Sequence, residues 1–143
     1  MTDFLALLTG VWHLQRSIDG GGSMTGTATI ARCDSRAFDY REQGRLVLPG
    51  GQILDAARRY IFQNEDDGFS VLFAENPPRL FHRIVLGPAG ASLAGTGHHL
   101  CGDDRYETHY EFRADNSFGV RHAVSGPRKR YVMVTDYTRA NPA

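Results

Sequence analysis

Residues rich in Val, Ile, Phe, Tyr and Thr alternate with polar residues at period two along most of this chain. Turn-forming clusters break the alternation at Asp19–Gly22, Asp34-Ser35, Pro49–Gly51, Asp66–Gly68 and Asn76–Pro78. They recur at Gly87–Gly90, Gly102–Asp104, Ala114–Asn116 and Gly126-Pro127. Such clusters supply a positive φ, a preset φ or a side chain that mimics a turn. The runs between them predict about ten strands joined by hairpin-length loops, which is an antiparallel meander. Helical periodicity is confined to residues 3–8, where Asp3 can cap one turn carrying Phe4, Leu7 and Leu8. A flat sheet of that many strands would leave unpaired edges and one apolar face exposed. Closure removes both, so the expectation is an all-β, up-and-down barrel with the residues 3–8 turn plugging one end. A two-sheet sandwich is the alternative.

Side chains alternate across a strand, so the more apolar parity of each run is assigned to the interior. The first strand sends in Trp12, Leu14, Arg16 and Ile18, and the second Met24, Ala28 and Ile30. The third sends in Phe38, Tyr40, Glu42, Leu46 and Leu48, and the fourth Leu54, Ala56, Arg58, Tyr60 and Phe62. Phe69, Val71 and Phe73 follow from the fifth. In the sixth and seventh both parities are mixed; the faces Leu80-His82-Ile84 and His99-Cys101 are preferred over Phe81-Arg83-Val85 and His98-Leu100. The last runs send in Tyr106, Thr108, Tyr110 and Phe112, then Phe118, Val120, His122 and Val124, then Tyr131, Met133, Thr135 and Tyr137. Guanidiniums, hydroxyls and imidazoles in a dry core cost about 1–3 kcal/mol for each unpaired group, and more for a charge. The interior is therefore expected to hold a polar cavity. Arg16 and Arg58 against the single carboxylate of Glu42 leave it net positive, which suits an anion.

Composition narrows the class. The chain has 143 residues, with 16 Lys+Arg against 16 Asp+Glu, and 41% hydrophobic residues. These are globular values for one domain, residues 1–143. No apolar run reaches the ~20 residues of a membrane helix, and balanced charge argues against nucleic acid as the partner. The start lacks a basic segment with a cleavage site, and Cys33 and Cys101 are expected as free thiols in the cytoplasm.

Gly10-Val11-Trp12 after a short turn, opening a meander, resembles the Gly-x-Trp signature of the calycin superfamily of lipocalins, fatty-acid-binding proteins and nitrobindins. Arg58-Arg59-Tyr60, Phe81-His82, His99-Leu100-Cys101, Asp104-x-Tyr106 and Gly126-Pro127-Arg128-Lys129-x-Tyr131 extend the likeness. Together they resemble a small bacterial family of unknown function with a calycin-like barrel. The resemblance implies a fold and a cavity, and it implies that a basic residue near the end of the chain, Arg139, packs over Trp12. It carries no ligand: no histidine follows His122 where a nitrobindin would hold haem, and Arg58-x-Tyr60 sits in the fourth strand rather than near the C-terminus.

The candidate ligand-binding residues are Trp12, Arg16, Tyr40, Glu42, Arg58, Tyr60, His82, His99, Tyr106, Tyr110, His122 and Tyr131. The first function expected is binding of a small anionic or amphipathic molecule, with no cofactor and with a homodimer as a compatible assembly. A second is cofactor-free acid–base catalysis, with His82, His99, His122 or Cys101 as the reacting group and a tyrosine as partner. A third is a structural or interaction module whose interior is a closed polar network. His98-His99-x-Cys101 places His98 on the opposite face from the other two, so a structural role is preferred there to a metal site. Arg128-Lys129-Arg130 reads as a solvated hairpin end.

Overall fold

A computed structural model describes residues 3–140. It is all-β apart from one 3-10 turn, Phe4–Leu8. The strands are β1 (Gly10–Ile18), β2 (Gly22–Arg32), β3 (Ala37–Val47), β4 (Ile53–Glu65), β5 (Gly68–Phe73) and β6 (Arg79–Val85). They continue as β7 (Gly87–Ala89), β8 (Ser92–Cys101), β9 (Asp104–Phe112), β10 (Phe118–Ser125) and β11 (Arg130–Arg139). All pairings are antiparallel, in the order β6-β5-β4-β3-β2-β1-β11-β10-β9-β8-β7. The ladder between β1 and β11 joins the two halves of the meander, with Trp12 opposite Arg139 and Arg16 opposite Thr135. The strand beyond the expected ten is β7, where Pro88 and its neighbours pair with Leu93 and Ser92 instead of only turning.

The barrel is nearly closed. Its seam lies between β6 and β8, which run side by side without a hydrogen-bonded ladder. Glycine permits the approach: a Cβ on Gly97 would sit 2.9 Å from His82 Cβ and 3.0 Å from the Arg83 carbonyl oxygen. One on Gly95 would overlap the Val85 carbonyl oxygen. Small residues at such a point let two backbones touch where side chains would hold them apart.

Register corrects the reading of β6. A bulge in the β5–β6 ladder, between Val71 and Leu72, pairs Val71 with His82 and Leu72 with Leu80. The extra residue turns Phe81 and His82 both inward, and Leu80, expected inside, is 52% exposed. In β8 the preferred face holds, with His99 toward the interior and Leu100 on the outside.

The 3-10 turn closes one end, as expected, but by different contacts. Phe4, Leu5 and Leu8 are buried, whereas Leu7 is exposed. Asp3 makes no capping bond to the turn. Its carboxylate instead accepts from Asn64 Nδ2 at 2.9 Å and from Arg32 at 2.7 Å, while Asn64 Oδ1 accepts from the Leu5 amide. Arg139 fastens the turn from the far end of the chain by donating to the carbonyls of Leu7 and Thr9. Its guanidinium lies 4.0 Å from the Trp12 ring centre, the cation–π contact expected of it. Trp12 in turn donates its indole N–H to the Leu8 carbonyl at 2.9 Å.

Candidate functional site

Three layers stack along the barrel axis. The layer at the closed end is aromatic: Phe4 meets Phe112 edge-on at 4.8 Å, Trp12 meets Phe118 likewise at 4.8 Å, and Phe62 stacks on Phe69 at 5.7 Å. Aromatic pairs at these separations occupy much of the space that the strand count would otherwise leave open, and a cleft of about 440 Å³ remains between the turn, Leu93, Phe112 and Phe118.

Above it lies a polar layer that satisfies itself. Arg16 of β1 forks onto Glu42 of β3, Nη1 to Oε2 at 2.8 Å and Nη2 to Oε1 at 3.0 Å. Arg16 Nε donates to Thr135 Oγ1 at 2.8 Å. The Tyr40 hydroxyl donates to Glu42 Oε1 at 2.6 Å and lies 2.7 Å from the Tyr137 hydroxyl. Burial works against the Glu42 charge, but the hydrogen bonds from Arg16 and Tyr40 and the Arg16 charge override it and hold the carboxyl below its ordinary range. Burial, reinforced by the Glu42 charge, pushes Tyr137 up to about 12, so its hydroxyl stays protonated. Only about 20 Å³ of free space remains beside this layer. Arg16, Tyr40, Glu42 and Tyr110, expected to line a ligand cavity, surround that void instead and leave no room for a ligand. Arg16 is thus the charge of an internal ion pair, and the wet, net cationic hollow inferred from sequence is confined to the layer above.

That third layer is open. A cavity of about 450 Å³ is lined by Arg58, Arg59, Tyr60, Phe73, Arg79, Phe81, His99, Cys101, Tyr106, His122, Val124, Tyr131 and Met133. Its wall is mostly aromatic: Phe73 and Phe81 stack at 4.7 Å, Tyr60 and Phe81 at 5.9 Å, and His99 stands edge-on to Phe81 at 5.4 Å. The β5–β6 bulge puts Phe81 at the centre of this wall.

The cations on the rim differ in what they hold. Arg59 donates to Asp39 at 2.7 Å, Arg79 reaches Glu75 at 3.2 Å, and Lys129 sits 3.3 Å from Asp104 and donates to the Tyr106 hydroxyl at 3.1 Å. Arg58 forms no ion pair among the described residues, although it stands directly opposite Glu42 in the β3–β4 ladder. Its guanidinium carbon lies 6.0 Å from the Tyr60 ring centre. Glu42 is turned to Arg16 and Tyr40, and Arg58 keeps no ion-pair partner on the cavity wall.

The histidines separate by depth. His82 is 2% exposed and packs at the seam rather than on the cavity; Nε2 lies 3.3 Å from the Tyr110 hydroxyl, and Nδ1 has no partner. Burial, with the nearby His122 and His99 rings, pushes its pKa down to about 3, so it is a neutral core residue. His99 and His122 are on the cavity, and His122 Nδ1 is held 2.8 Å from Thr108 Oγ1. Trp12 belongs to the closed end, away from this cavity. Of the expected ligand residues, therefore, the fold gathers Arg58, Tyr60, His99, Tyr106, His122 and Tyr131, together with Cys101 from the catalytic candidates.

Phe73, Val124 and Met133 join them from positions already assigned to the interior, but Arg59, Arg79 and Phe81 were outside every inward set. Arg79 opens a strand directly after the Asn76–Pro78 turn, where alternation has no purchase. Arg59 reaches the cavity from the opposite parity because β4 has an uncovered edge there: β5 pairs only with Tyr60–Glu65.

Fold and site together define a nearly closed antiparallel barrel, with the Phe4–Leu8 turn packed on aromatic rings at one end and a hollow that is aromatic and cationic at the other. The chain belongs to the family described as "Family of unknown function (DUF6314)", whose model matches residues 8–139. No curated protein matches it.

Proposed function

We propose that this protein is a calycin-like binding barrel whose mouth cavity holds one small anionic molecule with an aromatic or otherwise flat apolar body. The observation that carries the reading is the free guanidinium of Arg58 beside a wall of stacked rings, in a barrel whose other interior arginine is fully paired. Arg58 takes the charge; Tyr60, Phe73, Phe81 and Tyr131 take the body. A volume of about 450 Å³ suits a ligand of metabolite size rather than a long acyl chain. The Phe4–Leu8 turn, fastened by Arg139 beside Trp12, supports the calycin-like part of the reading; a cleft of about 440 Å³ also lies at that end, between the turn and Leu93, Phe112 and Phe118, but among the described residues it has no unpaired cation like Arg58. Exposed, free Cys33 and Cys101 agree with residence in a reducing compartment such as the cytoplasm.

Anilinonaphthalene sulfonate and its neutral relative phenylnaphthylamine separate charge from shape. The folded protein is expected to bind the sulfonate at one site and to prefer it to the neutral compound. Arg58→Gln, at an exposed residue that forms no ion pair among the described residues, is expected to weaken sulfonate binding about tenfold and leave phenylnaphthylamine unchanged. Equal affinity of the variant and wild type for the sulfonate rejects the role of Arg58.

A further inference from the structure

His122 is a cavity residue to which the binding reading assigns no work. Its Nδ1 is engaged by Thr108, a fully buried neighbour across the β9–β10 ladder, so the ring is fixed with Nε2 as the nitrogen available to the cavity. Phe81 lies parallel to the ring, 6.3 Å between centres and 6° between planes, and blocks rotation from that side.

The groups that face this ring come from most of the barrel. Arg16 of β1, Glu42 of β3, and Arg58 and Tyr60 of β4 share the void beneath it, with Tyr40 and Tyr137 deeper in. His82 of β6, His99 and Cys101 of β8, Tyr106 and Tyr110 of β9, and Tyr131 of β11 complete the surroundings, with Arg59 and Arg79 on the same cavity but paired with Asp39 and Glu75. The fixed charges that act on the ring are the guanidiniums of Arg16 and Arg58 and the carboxylate of Glu42. Glu42 offsets part of the Arg16 charge within their ion pair, whereas Arg58 has no ion-pair partner among the described residues. Burial first, then Arg16 and Arg58, push its pKa down to about 4, and Glu42 offsets this only in part. In the empty cavity the ring is neutral at physiological pH. An anion held by Arg58 neutralises the charge of that guanidinium and removes one cause of the depression.

Building on the anion-binding reading above, we propose that His122 is a second anchor for the ligand: as the anion docks beside Arg58, Nε2 takes a proton from solvent and donates it to the anion in a hydrogen bond. Binding and proton uptake are then one event, and affinity rises as pH falls. No covalent step is involved; the proton comes from buffer and returns to it on release.

Calorimetric titration with anilinonaphthalene sulfonate, at pH 7 and pH 5 in two buffers of different ionisation enthalpy, reads both quantities. The sulfonate stays ionised throughout, so protons taken up belong to the protein. A tenfold gain in the proton affinity of His122 on binding makes Kd about twofold lower at pH 5 than at pH 7, and a hundredfold gain about ninefold lower. His122→Gln is expected to abolish both the uptake and the pH dependence, whereas His13→Gln, at an exposed position away from the cavity, keeps them. NMR of the His122 ring in the unaltered protein requires no variant: saturating probe is expected to move its titration to higher pH. The proposal is overturned if Arg58-dependent binding occurs with a flat Kd and no proton uptake, if His122→Gln retains the uptake, or if the ring titration does not move. Failure of the sulfonate to bind at either pH overturns the anion-binding reading itself, a distinct result.

Discussion

Replacing Glu42 with Gln tests the middle layer without changing its shape. The carboxylate accepts from both Arg16 terminal nitrogens and from Tyr40, at 2.6–3.0 Å, and Arg16 is 7% exposed. An amide in its place sets an N–H₂ against a guanidinium N–H and leaves that guanidinium without a counter-charge. Loss of one partner from a buried ion pair costs about 3–5 kcal/mol, chiefly from the stranded charge rather than the lost bonds. For a chain of 143 residues this corresponds to a fall in Tm of roughly 10–20 °C. Urea and thermal unfolding followed by far-UV circular dichroism measure it. The paired replacement Arg16→Met with Glu42→Leu removes both charges, and is expected to recover most of the loss, because an apolar pair of similar volume can replace a buried ion pair at little cost. A Glu42→Gln penalty below about 1 kcal/mol, or a double variant no better than the single one, refutes the claim that Arg16 depends on Glu42 for its only counter-charge.

Arg139→Ala removes the ring contact with Trp12 and two hydrogen bonds to the Phe4–Leu8 turn; the expected cost is about 1–2 kcal/mol, with faster hydrogen exchange confined to the closed end. Unchanged exchange there counts against the seal. Gly95→Ala drives a methyl into the Val85 backbone and is expected to cost about 1–3 kcal/mol, whereas Gly87→Ala, with nothing within 4 Å, leaves unfolding nearly unaltered. Similar unfolding curves for the two variants contradict the close seam. His82 and His122 stay neutral when folded, down to about 3 and 4, but the unfolded chain protonates both near 6.5. The unfolded state therefore binds more protons, and stability falls with pH below 6.5, by about 2 kcal/mol per histidine at pH 5. Glu42, held below its ordinary 4.5, adds a further loss as pH drops through the folded-state value. A flat urea midpoint from pH 7 to pH 5 excludes this contribution from the histidines.

Period-two alternation reached far into this structure because one face of nearly every strand is buried. It placed Arg16, Tyr40, Glu42, Tyr137 and Thr135 inside together, and the Phe4–Leu8 turn at one end. Alternation cannot say who pairs with whom. Glu42 faces Arg58 across its own ladder yet bonds Arg16, two strands away, because strand stagger in a barrel brings side chains from different registers to one height. That choice decides which arginine is spent internally and which is free for a ligand. The bulge at Val71/Leu72 was equally illegible: a single extra residue leaves each half of β6 looking regular while exchanging the face of Leu80 for that of Phe81. His99 and Cys101 are the opposite case: both parities of their run are mixed, and the preferred face lies on the cavity with Leu100 outside.

A crystal structure of the protein grown with anilinonaphthalene sulfonate bears most directly on the open-ended barrel. The account predicts the sulfonate within hydrogen-bond distance of the Arg58 guanidinium, with the naphthalene against Phe81 and Tyr60. Density for the probe at the Phe4–Leu8 end or on the outer wall, with the mouth empty, contradicts it.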